Sequence, residues 1–231
     1  MEKILLLFIT LYFLLFFSCS AISIETYKSA DTLGPLHFRV GAGGQFGFLS
    51  DASLIGDSLK NLGLSFPLVN LFGGLGITKK IDIYASLSFP FNPIFGFGVK
   101  YQFFDKLGLK MATLPNFKYS YQKDIEISDT NLTVGFELPF ILTYSGFNII
   151  FLTTGIQTGY YKYFSNENNL SYDFLTYGLN FMPEIKFKII RFSFGFELRF
   201  YKSFKYRVVY DKDLEFYRKH FNPFINISLQ F

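Results

Sequence analysis

Residues 222–231 read NPFINISLQF, in which Ile225, Ile227, Leu229 and Phe231 alternate with Asn226, Ser228 and Gln230. A period of two sends successive side chains to opposite faces of a strand. This is therefore a strand with one apolar face, one polar face and an aromatic last residue. The same alternation runs back through the chain. FSFGFELRF (192–200) sets Phe192, Phe194, Phe196, Leu198 and Phe200 against Ser193, Gly195, Glu197 and Arg199. FGFGVKYQF (95–103) sets Phe95, Phe97, Val99, Tyr101 and Phe103 against Gly96, Gly98, Lys100 and Gln102.

Ten such runs can be read between residue 36 and the end, of about 9–14 residues each, which suits a tilted membrane strand. The others are LHFRVGAGGQFGF, VNLFGGLGIT, IDIYASLSF, LGLKMAT, LTVGFELPFIL, IIFLTTGIQTGYY and LTYGLNFMPEIKFK. Eight strands is the alternative, if the weak fifth run and a neighbour merge into loops. Short turns are expected at 79–80, 105–106, 145–146 and 189–190, and longer segments at 49–68, 115–130 and 162–171. The connection 202–220 is expected to extend its two strands and turn at DKD (211–213). With a tight turn at 189–190, Gly195 would face Glu184 and Ser193 would face Lys186.

The face choice decides the solvent. In a soluble barrel the apolar face is the core and the polar face meets water. Here the apolar face is rich in Phe, and the polar face is mostly Gly, Ser, Thr, Asn and Gln with sparse charge. A soluble exterior normally carries many Lys and Glu. The polar face is therefore assigned to a lumen and the apolar face to lipid, which tolerates no open sheet edge. The expected fold is all-β, a closed antiparallel up-and-down transmembrane β-barrel. Its lumen receives Arg39, Asp82, Lys100, Lys110, Glu137, Glu184, Lys186, Lys188, Glu197 and Arg199, six basic and four acidic residues. Buried charges must be paired, so a lumen ion-pair network is the reading. Its proposed centre is Glu137, Glu184, Lys186, Glu197 and Arg199, with Arg39, Lys100 and Lys110 as further members.

Aromatic residues make up 21% of the chain, with 33 Phe, 16 Tyr and no Trp, so Tyr and Phe must supply any interfacial girdle. The start, MEKILLLFITLYFLLFFSCSAIS, has a basic n-region at Lys3, then a low-polarity run shorter than a spanning helix, and reads as a signal peptide over 1–23. The alternative is a lipoprotein signal over 1–18 with Cys19 lipidated, since LFFSC resembles a relaxed lipobox. Phe17 departs from the small residue usual there. Cys19 is the only cysteine, so the fold cannot rest on a disulfide. Residues 24–35 are expected to be a short periplasmic segment, and 36–231 the barrel domain.

The ending resembles the C-terminal assembly signal of bacterial outer-membrane β-barrels, with Phe231 as terminal aromatic and Leu229, Ile227 and Ile225 at the apolar positions. That resemblance implies a small outer-membrane protein of a diderm bacterium, with loops at the cell surface. It implies outer-membrane lipid and the barrel assembly machinery as partners. No dense Lys/Arg tract marks a nucleic-acid surface, and net charge is only +4. His37 and His220 are expected at opposite ends of adjoining strands, too far apart to share a metal. No base–nucleophile arrangement marks an enzyme, and no cofactor is implied. Two functions fit: a structural or adhesion-type surface protein, binding any extracellular ligand through its loops, or a narrow passive pore for small polar solutes or ions.

Overall fold

The computed structural model describes residues 29–46, 48–50, 67–89, 93–123, 130–146, 149–165, 170–207 and 217–231. The described strands are β1 (Phe38–Phe46), β2 (Phe48–Ser50), β3 (Pro67–Gly76), β4 (Ile81–Phe89), β5 (Ile94–Lys106) and β6 (Leu109–Thr113). They continue with β7 (Asn116–Lys123), β8 (Thr130–Tyr144), β9 (Ile150–Ser165), β10 (Leu170–Phe187), β11 (Ile190–Arg207) and β12 (Tyr217–Gln230). All pairings are antiparallel, β1 pairs β3, β6 and β7 both pair β5 and β8, and β12 pairs back onto β1, so the sheet closes. The closing seam runs from Arg39↔Gln230 to Gln45↔Phe224. Phe231 completes it: its amide donates to the Phe38 carbonyl at 2.9 Å, and its carbonyl accepts from Phe38 at 3.0 Å.

Twelve segments make ten staves. β2 continues the register of β1 along β12, and β6 and β7 together lie between β5 and β8. The β6/β7 break falls at Leu114 and Pro115, facing Pro139 on β8. Each proline lacks an N–H, so the ladder loses donors there. The Leu114 amide still donates to the Pro139 carbonyl (3.1 Å), and Val99 donates to Pro115 (3.1 Å). Register is unbroken across the gap. The expected loop at 115–130 is thus corrected: Asn116–Lys123 is strand, and reading the proline as a stop ended the fifth run too early. The segment 162–171 is corrected likewise, since β9 reaches Ser165 and β10 starts at Leu170. β8 to β11 run 15, 16, 18 and 18 residues, longer than expected.

Two turns shift. The β5–β6 turn is Leu107–Gly108, both at positive φ (53° and 76°), as a two-residue hairpin that follows strand twist requires. The β10–β11 turn is at Lys188 and Ile189, with Lys188 at φ 53°. The register therefore pairs Glu184 with Ser193 and Lys186 with Arg191, not Glu184 with Gly195 or Ser193 with Lys186. A shift of two residues keeps every side chain on its expected face.

The barrel is inside-out. Phe38, Phe97, Ile156 and Ile227 are each more than half exposed, while Lys100, Glu137, Glu184 and Glu197 are fully buried. On β11 the outward run 192–200 spans eight steps, roughly 20 Å along the normal at ~3.3 Å per residue and ~40° tilt. That approaches the ~25 Å apolar band of a membrane barrel. Lys202 is exposed above this run, and Lys79, Lys80 and Lys188 are exposed in the turns below it. Inward glycines make room for rings laid flat on the wall. A Cβ on Gly74 would lie 2.3 Å from the Tyr84 ring, and one on Gly135 would lie 2.1 Å from Tyr161.

The expectation for residues 24–35 needs correction. Gly34 (φ 84°) and Leu36 (φ 61°) reverse the chain just before β1. Residues 29–33 turn back into the lumen, where Ser29, Ala30 and Leu33 are buried. The signal, Cys19 and residues 24–28 lie outside the described residues, as do the segments 51–66, 124–129 and 208–216 within the expected loops.

Candidate functional site

The chemistry of this chain is inside the barrel, at two levels. The upper one grows from Glu137 on β8. Arg199 on β11 donates from Nη1 to Glu137 Oε1 (2.8 Å), and its Nη2 lies 2.6 Å from Glu197 Oε1. β8 and β11 are three staves apart, so this guanidinium bridges the lumen rather than pairing along one wall. The Tyr161 hydroxyl donates to Glu137 at 2.6 Å, Lys118 sits 3.7 Å from its other oxygen, and Asn222 donates to Glu197 at 3.2 Å. Tyr161 stacks on Phe174 (5.1 Å), which touches Tyr201 (6.1 Å). Two cations meet two carboxylates, so this level is neutral.

The lower level lies toward the end with the short turns. Arg39 on β1 donates to Glu184 on β10 (2.8 Å) and, through Nε, to Ser228 (3.0 Å). Arg191 holds the other Glu184 oxygen at 2.6 Å. Lys100 sits 2.9 Å from Asp82 and donates to the Tyr84 hydroxyl at 3.0 Å. Here the wall supplies four cations, Arg39, Lys100, Lys110 and Arg191, against two buried carboxylates, Asp82 and Glu184, with the mostly exposed Asp105 3.9 Å from Lys110 at the edge.

The missing negative charge comes from the inserted N-terminal segment. Asp31 places one oxygen 2.5 Å from Lys110 on β6 and the other 3.1 Å from Arg191 on β11, four staves away around a ring of ten. Burial pushes the Asp31 carboxyl up, but Lys110 and Arg191 outweigh it and hold the group below its ordinary value. The rest of the segment is tied down as well. Lys100 donates to the carbonyls of Ser29 (3.3 Å) and Asp31, the Ala30 amide donates to Thr143 (2.7 Å), and the Leu33 amide to Asp82 (3.1 Å). Between the levels, Met182 packs on Phe224.

Of the proposed centre, Glu137, Glu197 and Arg199 meet at the upper level, while Glu184 belongs to the lower one. Arg39, Lys100 and Lys110 join the lower level too. Lys186 is half-buried at its edge and has no carboxylate within 4 Å among the described residues. Lys188 is exposed in its turn rather than inward. Sequence reading missed Asp31, Lys118 and Arg191. Arg191 has the parity of Ser193 and would have been found by extending the run one residue back. Lys118 lay beyond the proline, and nothing in the sequence marks Asp31 as lumenal.

Every wall carboxylate named here is held by a cation, so none is poised as a free base. His37 is exposed, with Nδ1 2.9 Å from the Pro35 carbonyl. Among the described residues, no group of three His, Cys, Asp or Glu could hold a metal ion.

No family model matches the chain, and no curated protein matches it. Among solved structures it is similar to Neisserial surface protein A, at 10% identity over 84% of this chain and 97% of that one, TM-score 0.41. It is similar to outer membrane protease OmpT from Escherichia coli, at 7% identity over 90% and 100%, TM-score 0.46. A third is outer membrane protein OprG from Pseudomonas aeruginosa, at 11% identity over 88% and 99%, TM-score 0.39. Two of these neighbours are outer-membrane proteins by name, and the likeness is one of fold; the chain's own sheet is a closed antiparallel barrel of ten staves with its apolar side chains outward.

Proposed function

We propose that this protein sits in the outer membrane of a diderm bacterium with its lumen closed by its own side chains. It then works as a structural or adhesion-type surface protein, not as an enzyme or an open pore. One observation carries this: buried ion pairs cross the lumen at two separate levels, Glu137–Arg199 and Arg39–Glu184. In a low-dielectric interior such pairs attract strongly, and breaking one leaves an uncompensated buried charge. A barrel closed in this way can act outward only through its loops. The outer connections from β2 to β3, from β7 to β8 and from β11 to β12 are where an extracellular ligand would bind.

Planar-bilayer recording of the purified full chain tests the closed lumen. Rare or absent conductance is expected, whereas large, stable, ohmic channels would make the narrow passive pore the primary reading. One observation favours that second reading: both amide atoms of buried Asn70, and Thr176 Oγ1, lack a protein partner, as in a water-lined passage.

A further inference from the structure

We propose that the lower end of the lumen is an anion-binding site that the chain fills itself, with residues 29–34 as a tethered stopper and the Asp31 carboxylate as its ligand. Withdrawing the stopper would leave a blind vestibule lined by Arg39, Lys100, Lys110 and Arg191, open to small carboxylates from the periplasm. The proposal rests on the lumen being sealed above, at Glu137–Arg199.

Three observations support it. The first is charge: at this level four wall cations face two buried wall carboxylates, Asp82 and Glu184, and a third, Asp105, that is mostly exposed and 3.9 Å from Lys110. Lys186, half-buried beside Arg191, adds to the excess. The second is geometry. Asp31 bridges two staves that lie almost opposite each other, one oxygen to each, as a free carboxylate would. Arg191 is buried and also anchored to Glu184, so its fork is fixed before the anion arrives. The third is that the stopper is an appended strap, not a stave. Its main-chain contacts include side-chain and carbonyl bonds from the wall, and it enters through a notch at Gly76. A Cβ on Gly76 would lie only 1.8 Å from the Gly34 carbonyl oxygen, so only glycine there lets the strap pass. At the same point Leu36 donates to the Gly76 carbonyl at 2.8 Å.

Site-directed labelling separates this from the sealed-lumen reading. Ser228 is buried, accepts from Arg39, and faces the vestibule; Ser228→Cys is nearly isosteric. In a Cys19→Ser background in lipid vesicles, Ser228→Cys should react slowly with both anionic and cationic methanethiosulfonates. Asp31→Ala should speed labelling at least tenfold, and more for the anionic reagent. Gly76→Ala should do the same by displacing the strap while leaving every charge in place. Millimolar formate should slow labelling of the Asp31→Ala variant, by refilling the site. A heat-modifiable gel shift confirms that each variant is folded. Fast labelling with Asp31 and Gly76 intact, no acceleration in either variant, or a preference for the cationic reagent would each overturn the proposal. Conductance in the same preparations reads the upper seal independently, so a failed stopper and a failed seal give different results.

Discussion

Phe196 lies at the midpoint of the outward run 192–200 on β11, 38% exposed, with its ring 6.0 Å from Phe181 and 5.7 Å from Phe221. Replacing it with arginine has two separable effects. The aromatic contacts are lost, about 0.5–1.5 kcal/mol per ring pair beyond area burial, and a charge is placed at mid-bilayer, about 2–4 kcal/mol in a membrane barrel. Phe196→Ala shares the first effect and lacks the second. The difference between the two variants should therefore be about 2–4 kcal/mol, a factor of roughly 30 to 900 in the unfolding equilibrium. Phe187, 66% exposed at the rim by the β10–β11 turn, supplies the comparison. There the same Arg-minus-Ala difference should fall to about 0–1 kcal/mol. Denaturant titration in lipid vesicles, followed by far-UV ellipticity because the chain has no Trp, gives all four values. Equal differences at the two depths, or a larger one at Phe187, would mean that the phenylalanine belt does not sit in lipid.

Deleting Phe231 removes the proposed assembly signal and both Phe38 seam bonds, so the heat-resistant, membrane-inserted fraction should drop; normal insertion would remove the signal from consideration. Ser193→Arg should destabilise the barrel although it lies on the lumen side, because Ser193 is buried opposite Glu184; a stability within about 0.5 kcal/mol of the parent would contradict so crowded an interior. Glu184→Gln and Glu197→Gln weaken different levels, so each alone should leave conductance low and only the pair should raise it; channels from either single variant would show that the levels are not barriers in series. Asp31, held below its ordinary value, stabilises the strap fully above the usual carboxylate pKa of about 4 and loses that contribution only as pH falls through the lowered value. Vestibule labelling in the intact strap should stay slow down to about pH 4, and acceleration at pH 5–6 would refute the latch.

How legible was this in the sequence? The faces were, because alternation is a local property and one polar residue out of step would have shown. Glu137, Glu197 and Arg199 were visible as inward residues for that reason. Their grouping was not, because it depends on stagger: Glu137 and Arg199 are 62 residues apart in sequence, and only the summed register of β8 to β11 brings them to one height. The two-residue error at the β10–β11 turn preserved the faces but would have placed Glu184 against Gly195, the kind of vertical error to which alternation is blind. Pro115 misled for a different reason. A proline ends a stave only when its missing donor cannot be tolerated, and here it follows Leu114, which faces Pro139, where the ladder is already interrupted. Asp31 was beyond reach because the strap has no period, and its place is set by cations on staves far from it.

The ionic lumen also bears on how the register itself is chosen. An aliphatic interior would close this barrel as well, and burying ions carries a desolvation cost that such packing avoids. But an aliphatic interior would make both faces of every stave apolar. A slip of one residue, which exchanges the faces, would then cost little. With the present sequence the same slip on β11 alone would drive Glu197 and Arg199 into lipid and bring Phe196 and Leu198 into the lumen. Charge at the bilayer centre costs about 2–4 kcal/mol per residue for arginine, and Glu137 on β8 would also lose its partner. The cross-lumen pairs therefore penalise wrong registers more than they stabilise the right one. This accounts for charges placed inward on β1, β4, β5, β6, β7, β8, β10 and β11, where Arg199–Glu137 and Arg39–Glu184 cross between staves that are not neighbours while Lys100–Asp82, Lys118–Glu137 and Arg191–Glu184 join adjacent ones.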